Sequence, residues 1–177
     1  RLQGNPLVEV VEPELQYSLI DVPEHPEGPL AATVLDDVEA SKQRRERFVP
    51  DDPLFARQWH MEMIHTPEAW TITHGQGAVV AILDTGVAWK DLPGVAKQAP
   101  DLMGTHFMPD GLDDHLHGTH VAGTVAQTTH NALGVSGVAF ESTILPLKVL
   151  DGRGSGPVPG IANAIRYAAD NGAHVIN

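Results

Sequence analysis

The sequence predicts an α/β fold, a three-layer α/β/α sandwich with a mostly parallel sheet that is incomplete in this chain. Apolar runs at 78–83, 142–150 and 173–176 are typical of strands buried on both faces. Segments with small or apolar residues at helical spacing, 117–126 and 161–169, lie between these runs. Strand–helix alternation of this kind favours parallel strands with right-handed crossovers and helices on both faces.

Local sequence justifies each element in turn. The first apolar run ends in Asp84-Thr85-Gly86, a turn after a buried strand. The segment from His117 to Ala126 carries small residues that let a helix pack close to a sheet. One face of the second helix carries three apolar residues, Ile161, Ile165 and Ala168. Asn171-Gly172 is a helix stop, and a third strand follows it. A parallel sheet ending there would leave a long unpaired edge, so we expect the chain to be part of a larger folding unit.

Composition narrows the class of protein. The 177 residues suit one domain, and 42% of them are hydrophobic, enough to bury a core. Lys and Arg number 11 against 23 Asp and Glu, a formal charge of −12 that argues against nucleic-acid or polybasic membrane partners. The absence of cysteine excludes disulfides, zinc–thiolate sites and a cysteine nucleophile. No apolar run approaches the roughly 18 residues of a membrane span.

The first 74 residues differ from the rest, because they hold two of the 17 glycines. A β-branched run at 7–11 predicts a strand, the proline-rich stretch 21–29 predicts a linker, and 36–48 predicts a short helix with a basic end. That basic end is either a solvated surface or an exposed cleavage segment. Since the chain begins with Arg1, we expect a processed or trimmed piece.

Two residues stand out as a possible catalytic pair. Asp84 follows a buried strand, and ligand crevices form at the carboxyl ends of strands in open α/β sheets. His117 opens a helix of small residues that would hold its imidazole rigidly. A histidine oriented by an aspartate can act as a general base. The residues alone leave simpler roles open, a helix-capping aspartate and a packed or exposed histidine.

The same segment also allows a metal site. Three histidines lie close in sequence beside two aspartates: His115, His117 and His120 beside Asp113 and Asp114. Imidazole and carboxylate ligands suit zinc or another transition metal. The spacing is loose, since a helix starting at His117 would leave His115 upstream of it. A histidine-rich metallohydrolase is therefore a weaker alternative.

Four segments together resemble the subtilisin-like serine proteases, the subtilases. They are Val79–Val87, His117–Thr124, Gly134–Ala139 and Leu147–Leu150, in that order. The resemblance covers about residues 50–177 and implies the subtilisin-like fold and the triad order Asp, His, Ser. It implies that Asp84 orients the imidazole, that His117 is the base, and that His120 is structural. The expected activity is a serine endopeptidase acting on extended polypeptides.

The resemblance leaves the nucleophile unassigned. The family's serine lies in a Gly-Thr-Ser-Met-Ala-like turn, which the sequence lacks. The five serines are Ser18, Ser41, Ser136, Ser142 and Ser155. By resemblance, Ser155 belongs to a substrate-binding strand instead, with Leu150, Gly154 and Gly156. We therefore expect a complementary polypeptide to carry the serine, and no acyl transfer from this chain alone. A catalytically inactive binding or regulatory fragment of the same fold is the alternative.

The resemblance also divides the chain and implies a metal. Residues 1–17 resemble the end of a propeptide, 18–50 a linker or activation segment, and 51–177 the N-terminal half of a catalytic domain. A zymogen and a secreted or extracytoplasmic location follow as expectations. Many relatives carry a structural calcium, which takes about 6–8 oxygen ligands. The ligands implied here are Asp52, Asp91, Thr128, Asn131, Leu133 and Val135.

Overall fold

The structure is a computed structural model that describes residues 15–19, 46–88, 106–107 and 111–177, with only the backbone described at 106–107. Its strands are β1 (Gln16–Ser18), β2 (Val79–Asp84), β3 (His106–Phe107), β4 (Thr143–Lys148), β5 (Ser155–Pro157) and β6 (Val175–Ile176). Its α-helices are α1 (Trp59–Met63), α2 (Thr66–Ala69), α3 (His117–Ala126) and α4 (Val158–Asp170), and a 3₁₀ turn covers Phe55–Arg57.

Four strands form a parallel sheet in the order β3-β4-β2-β6. The longest pairing joins β2 to β4 from Val79↔Thr143 to Asp84↔Lys148. On its other side, β2 pairs with β6 through Val80↔Val175. β2 therefore lies between β4 and β6 in the described sheet, and Asp84, which ends it, pairs with Lys148 of β4. A separate antiparallel pair joins β1 to β5.

Alternation along β2 divides the core between the two faces of the sheet. Val80 and Ile82 pack with Ala122 and Ala126 of α3 on one face. Ala81 packs with Leu145 and with Ala168 of α4 on the opposite face. Successive side chains of a strand point to opposite faces, so one apolar run serves both helices. This gives the three layers that the sequence predicts, and the predicted fold class is confirmed.

An aromatic cluster ties the segment before the sheet to the α/β body. Phe55, Met61 and Trp70 are buried together, with Phe48 and Phe140 packed against them. The indole nitrogen of Trp70 donates a hydrogen bond of 2.8 Å to the carbonyl of Val138. The packed body therefore includes Phe48, which the resemblance assigns to the linker or activation segment.

The element bounds differ from the predicted ones where long-range contacts intervene. The predicted helix 117–126 matches α3 at both ends, whereas β4 ends at Lys148 instead of residue 150. It ends early because the N–H groups of Val149 and Leu150 both donate hydrogen bonds to the carbonyl of Asp84. Helix α4 begins at Val158, since a proline is tolerated in a helix's first turn.

Several predictions concern the N-terminal part. The predicted strand at 7–11 and linker at 21–29 lie outside the described residues, as does most of the predicted helix 36–48, whose last residues 46–48 are not helical. Within the described ranges, no helix has the length and apolar character needed to cross a membrane.

Candidate active site

Asp84 lies at the carboxyl end of β2, and only 6% of its surface is exposed. The backbone N–H of Thr85 donates to its Oδ1 at 2.7 Å. Its carbonyl accepts hydrogen bonds from Val149 and Leu150, at 2.9 and 3.1 Å. The central position of β2 and these bonds fix both the backbone and the carboxylate of Asp84.

The first residue of α3 faces this carboxylate. The Nδ1 atom of His117 lies 2.8 Å from both Oδ1 and Oδ2 of Asp84. A carboxylate at Nδ1 favours the tautomer with its proton there, which leaves the lone pair on Nε2. The His117 side chain is 42% exposed, against 8% for Asp84. The arrangement can therefore present a basic ring nitrogen to a ligand while a buried carboxylate orients the ring.

Gly118 makes this contact sterically possible. A Cβ built on Gly118 would overlap the carbonyl oxygen of Gly86 and stand 3.0 Å from the Cβ of Asp84. The start of α3 thus packs against the turn after β2 with no room for a side chain. The predicted importance of small residues in this helix is strongest at this position.

A buried network that the sequence did not predict holds the two elements together. Thr85 is fully buried, and its hydroxyl donates to Oδ1 of Asp113 at 2.8 Å. The same hydroxyl accepts the N–H of Gly118 at 3.0 Å. Thr85 therefore links the turn after the aspartate to the helix that carries the histidine.

Asp113 is the centre of this network and is 2% exposed. Beyond Thr85, it accepts the N–H groups of His115 and Leu116 on Oδ1, and the N–H and hydroxyl of Thr119 on Oδ2. Burial by itself raises the pKa of Asp113, but these hydrogen bonds outweigh it and hold the pKa below its ordinary value. Asp113 lies three residues before Leu116, the N-cap residue of α3, which makes no side-chain capping hydrogen bond. The usual capping pattern, which is sought at the N-cap position, therefore gives no signal for this role.

Lys148 connects the network to the segment that follows β4. Its Nζ donates to the carbonyls of Thr85 at 2.7 Å and Leu150 at 2.9 Å. It also forms an ion pair with Asp114 at 2.6 Å. The end of β4 is thereby tied to the turn after Asp84.

The predicted substrate-binding residues form the strand β5 and the approach to it. Gly154, Ser155 and Gly156 lie in the turn and strand that follow Leu150, which is 7% exposed. The N–H groups of Arg153 and Ser155 donate to Asp151, shape this turn and lower the pKa of that carboxyl. A Cβ built on Gly156 would overlap the backbone at residue 149. The strand therefore has no room for a side chain at position 156, and it presents backbone groups there.

A segment from the start of the same chain is paired with this strand. Strand β1 runs antiparallel to β5, with Gln16 opposite Pro157 and Tyr17 opposite Gly156. The N–H of Leu19 extends the pairing by donating to the carbonyl of Gly154 at 3.0 Å. The sequence predicts no strand here, and the linker boundary that the resemblance implies at 17/18 falls inside the paired segment.

The described serines are engaged away from His117. Ser18 and Ser155 share a hydrogen bond of 2.7 Å between their hydroxyls. Ser136 donates to Asp52 at 2.6 Å, and Ser142 donates to a backbone carbonyl at 2.7 Å. Ser41 lies outside the described residues. Among the four described serines, each hydroxyl is thus hydrogen-bonded elsewhere in the chain.

The structure brings Asp52 into the loop predicted to bind calcium. Asp52 is 5% exposed, and its carboxylate accepts the N–H groups of His130 and Asn131, each at 3.0 Å. The hydroxyl of Ser136 is its third donor. Asp52 is therefore hydrogen-bonded to this loop.

The other predicted calcium residues give an oxygen-rich loop. The side-chain oxygen of Asn131 accepts the N–H of Leu133 at 3.0 Å, and the carbonyl of Val135 accepts a glutamine side-chain amide. Thr128 has a buried hydroxyl without a partner among the described residues. Asp91 lies outside them. These oxygens suit calcium by type, although Asp52, Asn131 and Val135 now accept protein donors.

The histidine-rich metal interpretation finds no support in the described part of the chain. There, no group of three or more His, Cys, Asp or Glu residues could hold a metal ion. The rings of His115 and His117 stand 6.4 Å apart at 65°. His117 is turned to Asp84, and both oxygens of Asp113 accept N–H and O–H donors. The cluster therefore consists of a histidine oriented by Asp84 and a buried aspartate, Asp113, that accepts hydrogen bonds from the neighbouring loop and helix.

Comparisons with known proteins identify the family. A model described as the subtilase family matches residues 75–177. Thermitase from Thermoactinomyces vulgaris is 42% identical over 73% of this chain and 47% of its own length. A thermophilic serine proteinase from Bacillus sp. (strain AK1) is 34% identical over 99% of this chain and 38% of its own length.

A solved structure gives the same result. Proteases from Pseudoalteromonas arctica PAMC 21717 align with a TM-score of 0.57 and 30% identity, over 73% of this chain and 50% of theirs. The chain thus spans about half or less of the length of these three proteins. It belongs to the subtilase family.

Proposed function

We propose that this chain supplies the Asp–His pair and the peptide-binding strand of a serine endopeptidase that acts on extended polypeptides. The proposal depends on one observation. The buried carboxylate of Asp84 lies within hydrogen-bonding distance of Nδ1 of His117, whose side chain is half-exposed. In this proposal Asp84 orients the ring and stabilises its charged form, and His117 is the general base. One of the two sequence relatives above is named a serine proteinase, which supports the same class.

The proposed reaction is acyl transfer through a serine outside these 177 residues, on a complementary polypeptide segment. The serine oxygen attacks the peptide carbonyl as its proton passes to Nε2 of His117. The C–N bond then breaks, the leaving amine takes that proton, and an acyl-enzyme forms. Water then attacks the acyl carbonyl as its proton passes to the same nitrogen. The bond between the acyl carbon and the serine oxygen breaks, the serine oxygen takes that proton, and the acid is released. Every described serine hydroxyl is hydrogen-bonded to a group other than His117, which supports a nucleophile outside these 177 residues.

We also propose that β1 acts as a self-ligand in a zymogen. An extended peptide would bind β5 by adding a strand, and residues 16–18 already pair with it in that way. While β1 is bound, the backbone groups of β5 are not available to a substrate. This interpretation supports the propeptide assigned to the first 17 residues by resemblance.

Labelling with a fluorophosphonate tests the reaction. The probe should modify the longer product of the same gene, or the chain combined with its complementary segment, but not this chain alone. His117→Ala should abolish labelling without unfolding the protein, and His120→Ala, an exposed histidine on the same helix, should preserve it. Peptide binding without any labelling of the longer product would instead support the inactive binding fragment. Full peptidase activity of this chain alone would overturn the external serine.

Calcium is a separate proposal for the loop around Asp52. The carboxylate of Asp52, the side-chain oxygen of Asn131 and neighbouring carbonyls would hold the ion, which would stabilise the loop. A ligand bound only by the folded state raises its stability by mass action. We expect a chelator to lower the melting temperature and added calcium to restore it. A melting temperature that neither reagent moves would overturn the proposal.

Secretion or another extracytoplasmic location completes the proposal and rests on the family. We expect the protein in culture medium or at the cell surface, detected by antibody. A signal confined to the cell lysate, with a cytoplasmic marker, would contradict it.

A further inference from the structure

Three segments of the candidate site meet at the side chain of Lys148. An ammonium group has three N–H donors, and here each of them has an acceptor in a different segment. The acceptors are the carbonyl of Thr85 at 2.7 Å, Oδ1 of Asp114 at 2.6 Å and the carbonyl of Leu150 at 2.9 Å. One charged group therefore holds the turn after β2, the loop before α3 and the segment that leads to β5.

The bond to Thr85 reaches the residue beside the proposed catalytic pair. The N–H of Thr85 donates to Oδ1 of Asp84 at 2.7 Å. The hydroxyl of Thr85 accepts the N–H of Gly118, the residue after His117, at 3.0 Å. A shift of Thr85 would therefore move both the carboxylate of Asp84 and the start of the helix that carries the histidine.

The other two bonds reach the approach to β5. Leu150 is followed by Asp151, whose N–H donates to the carbonyl of Ser155 in β5 at 2.9 Å. The carboxyl carbon of Asp114 would stand 3.3 Å from a Cβ built on Gly152, so this carboxylate lies against the turn before β5. A peptide paired with β5 therefore restrains the same segment that the lysine holds.

This geometry makes Lys148 a link between substrate binding and the catalytic pair. We propose that Lys148 is a positioning residue, which transmits the ordering of β5 by a bound peptide to Asp84 by way of Thr85. Ordering one segment lowers the cost of ordering a second segment joined to it. An extended peptide would therefore orient the pair better than a short one. This inference rests on the proposed function and deepens it, because it states how the strand-forming part of the substrate assists the reaction.

The first test needs no catalysis and uses this chain, with β1 as the bound peptide. Exchange of the Thr85 amide, which donates to Asp84, reports order beside the pair. Leu19→Pro removes an N–H that donates to Gly154, and so loosens β1. It should accelerate exchange of the Thr85 amide by about tenfold, and it should have no further effect in a Lys148→Met background. An equal acceleration in both backgrounds, or none in either, would overturn the coupling.

A matched variant separates the carbonyl bonds from the ion pair. Asp114→Asn removes the ion pair with Lys148, in which the Asp114 side chain is 60% exposed, and leaves both carbonyl bonds in place. In this background, Leu19→Pro should still accelerate exchange of the Thr85 amide. Loss of the response would contradict transmission through the carbonyl of Thr85.

Chemical rescue separates the ammonium group from general loss of structure. The sequence has no cysteine, so Lys148→Cys provides a single site for alkylation, at a side chain that is 30% exposed in the lysine form. Bromoethylamine gives this cysteine an ammonium at nearly the length of lysine, whereas iodoethane adds an uncharged ethyl group. Only the ammonium should restore the response of the Thr85 amide to Leu19→Pro. Restoration by both reagents, or by neither in a folded protein, would overturn the proposal.

The second test measures the dependence of kcat on substrate length in the complete protease. It compares a peptide long enough to pair with β5 with a short ester that ends before this strand. Lys148→Met should lower the ratio of the two kcat values, extended over short, by about tenfold. An unchanged ratio with both rates lowered would show a merely structural role and overturn the proposal. A complete protein that hydrolyses neither substrate would overturn the proposed function, while the exchange experiment would still decide the role of Lys148.

Discussion

Two neighbouring regions of the candidate site are held together in different ways. Around Asp84 and His117, buried side chains hold one another, and Asp113 accepts five hydrogen bonds. Along β5, the pairing with β1 is made by backbone groups, while the side chains of Gln16, Tyr17 and Ser18 are exposed. The first region should depend on the identity of its side chains. The second should depend on shape and on free backbone groups.

The largest effect should come from the pair itself. Asp84→Asn keeps the shape but removes the charge and puts an amide donor within reach of Nδ1, so the wrong tautomer is favoured. In the complete protease we expect kcat to fall about 10⁴-fold. Steady-state hydrolysis of a peptide substrate checks this. Asp170→Asn, the same substitution at an exposed site at the end of α4, should leave kcat unchanged. A decrease in kcat of less than tenfold for Asp84→Asn would contradict a catalytic role for the Asp84–His117 pair.

The next largest effect should come from Asp113. Asp113→Ala leaves two hydroxyls and three N–H groups without their acceptor, and should lower the free energy of unfolding by about 3 kcal/mol. Its neighbour Asp114 is a matched control, since its ion pair with Lys148 is largely exposed. Asp114→Ala should cost less than about 1 kcal/mol. Urea unfolding of the chain measures both, and equal losses would show that the network does not depend on Asp113.

The pH dependence of stability sharpens the same prediction. The pKa of Asp113 lies below its ordinary value of 3.8 in the folded chain. Its charged form therefore contributes stability that is present above pH 3.8 and is lost as the pH falls through the folded-state pKa. We expect the difference in unfolding free energy between wild type and Asp113→Asn to shrink over that acid range. A difference that grows as the pH falls would contradict the sign.

Two helix glycines give a smaller contrast. Gly118 and Gly160 both lie in the first turn of a helix, α3 and α4. Gly118→Ala should destabilise the chain by about 2–3 kcal/mol, because its Cβ would overlap the carbonyl of Gly86. Gly160→Ala should stabilise it by about 0.5–1 kcal/mol, because the nearest atom to its Cβ would be a proline carbon at 3.5 Å. Thermal unfolding checks both, and shifts of the same sign would contradict the close approach of α3.

The comparison of the two regions also explains what could be predicted from the sequence. The fold class and α3 follow from apolar runs and small residues within a few positions of one another. From the sequence, Asp113 is only a neighbour of a possible metal site, because its role depends on Thr85, 28 residues away. Strand β1 was missed because its partner β5 lies 137 residues along the chain at the serine contact. Local patterns predict elements, whereas these contacts depend on how the elements pack.

The smallest expected effect tests whether the pairing of β1 with β5 is held by backbone groups. The hydroxyls of Ser18 and Ser155 form the 2.7 Å side-chain contact across β1 and β5, at an exposed position. A double-mutant cycle of Ser18→Ala and Ser155→Ala should give a coupling below about 1 kcal/mol, measured by exchange of the Leu19 amide. The backbone bonds from Leu19 to Gly154 and from Val158 to Leu15 remain in every variant. A coupling above about 2 kcal/mol would mean that β5 selects its ligand by side-chain pairing, and the two regions would then differ in burial alone.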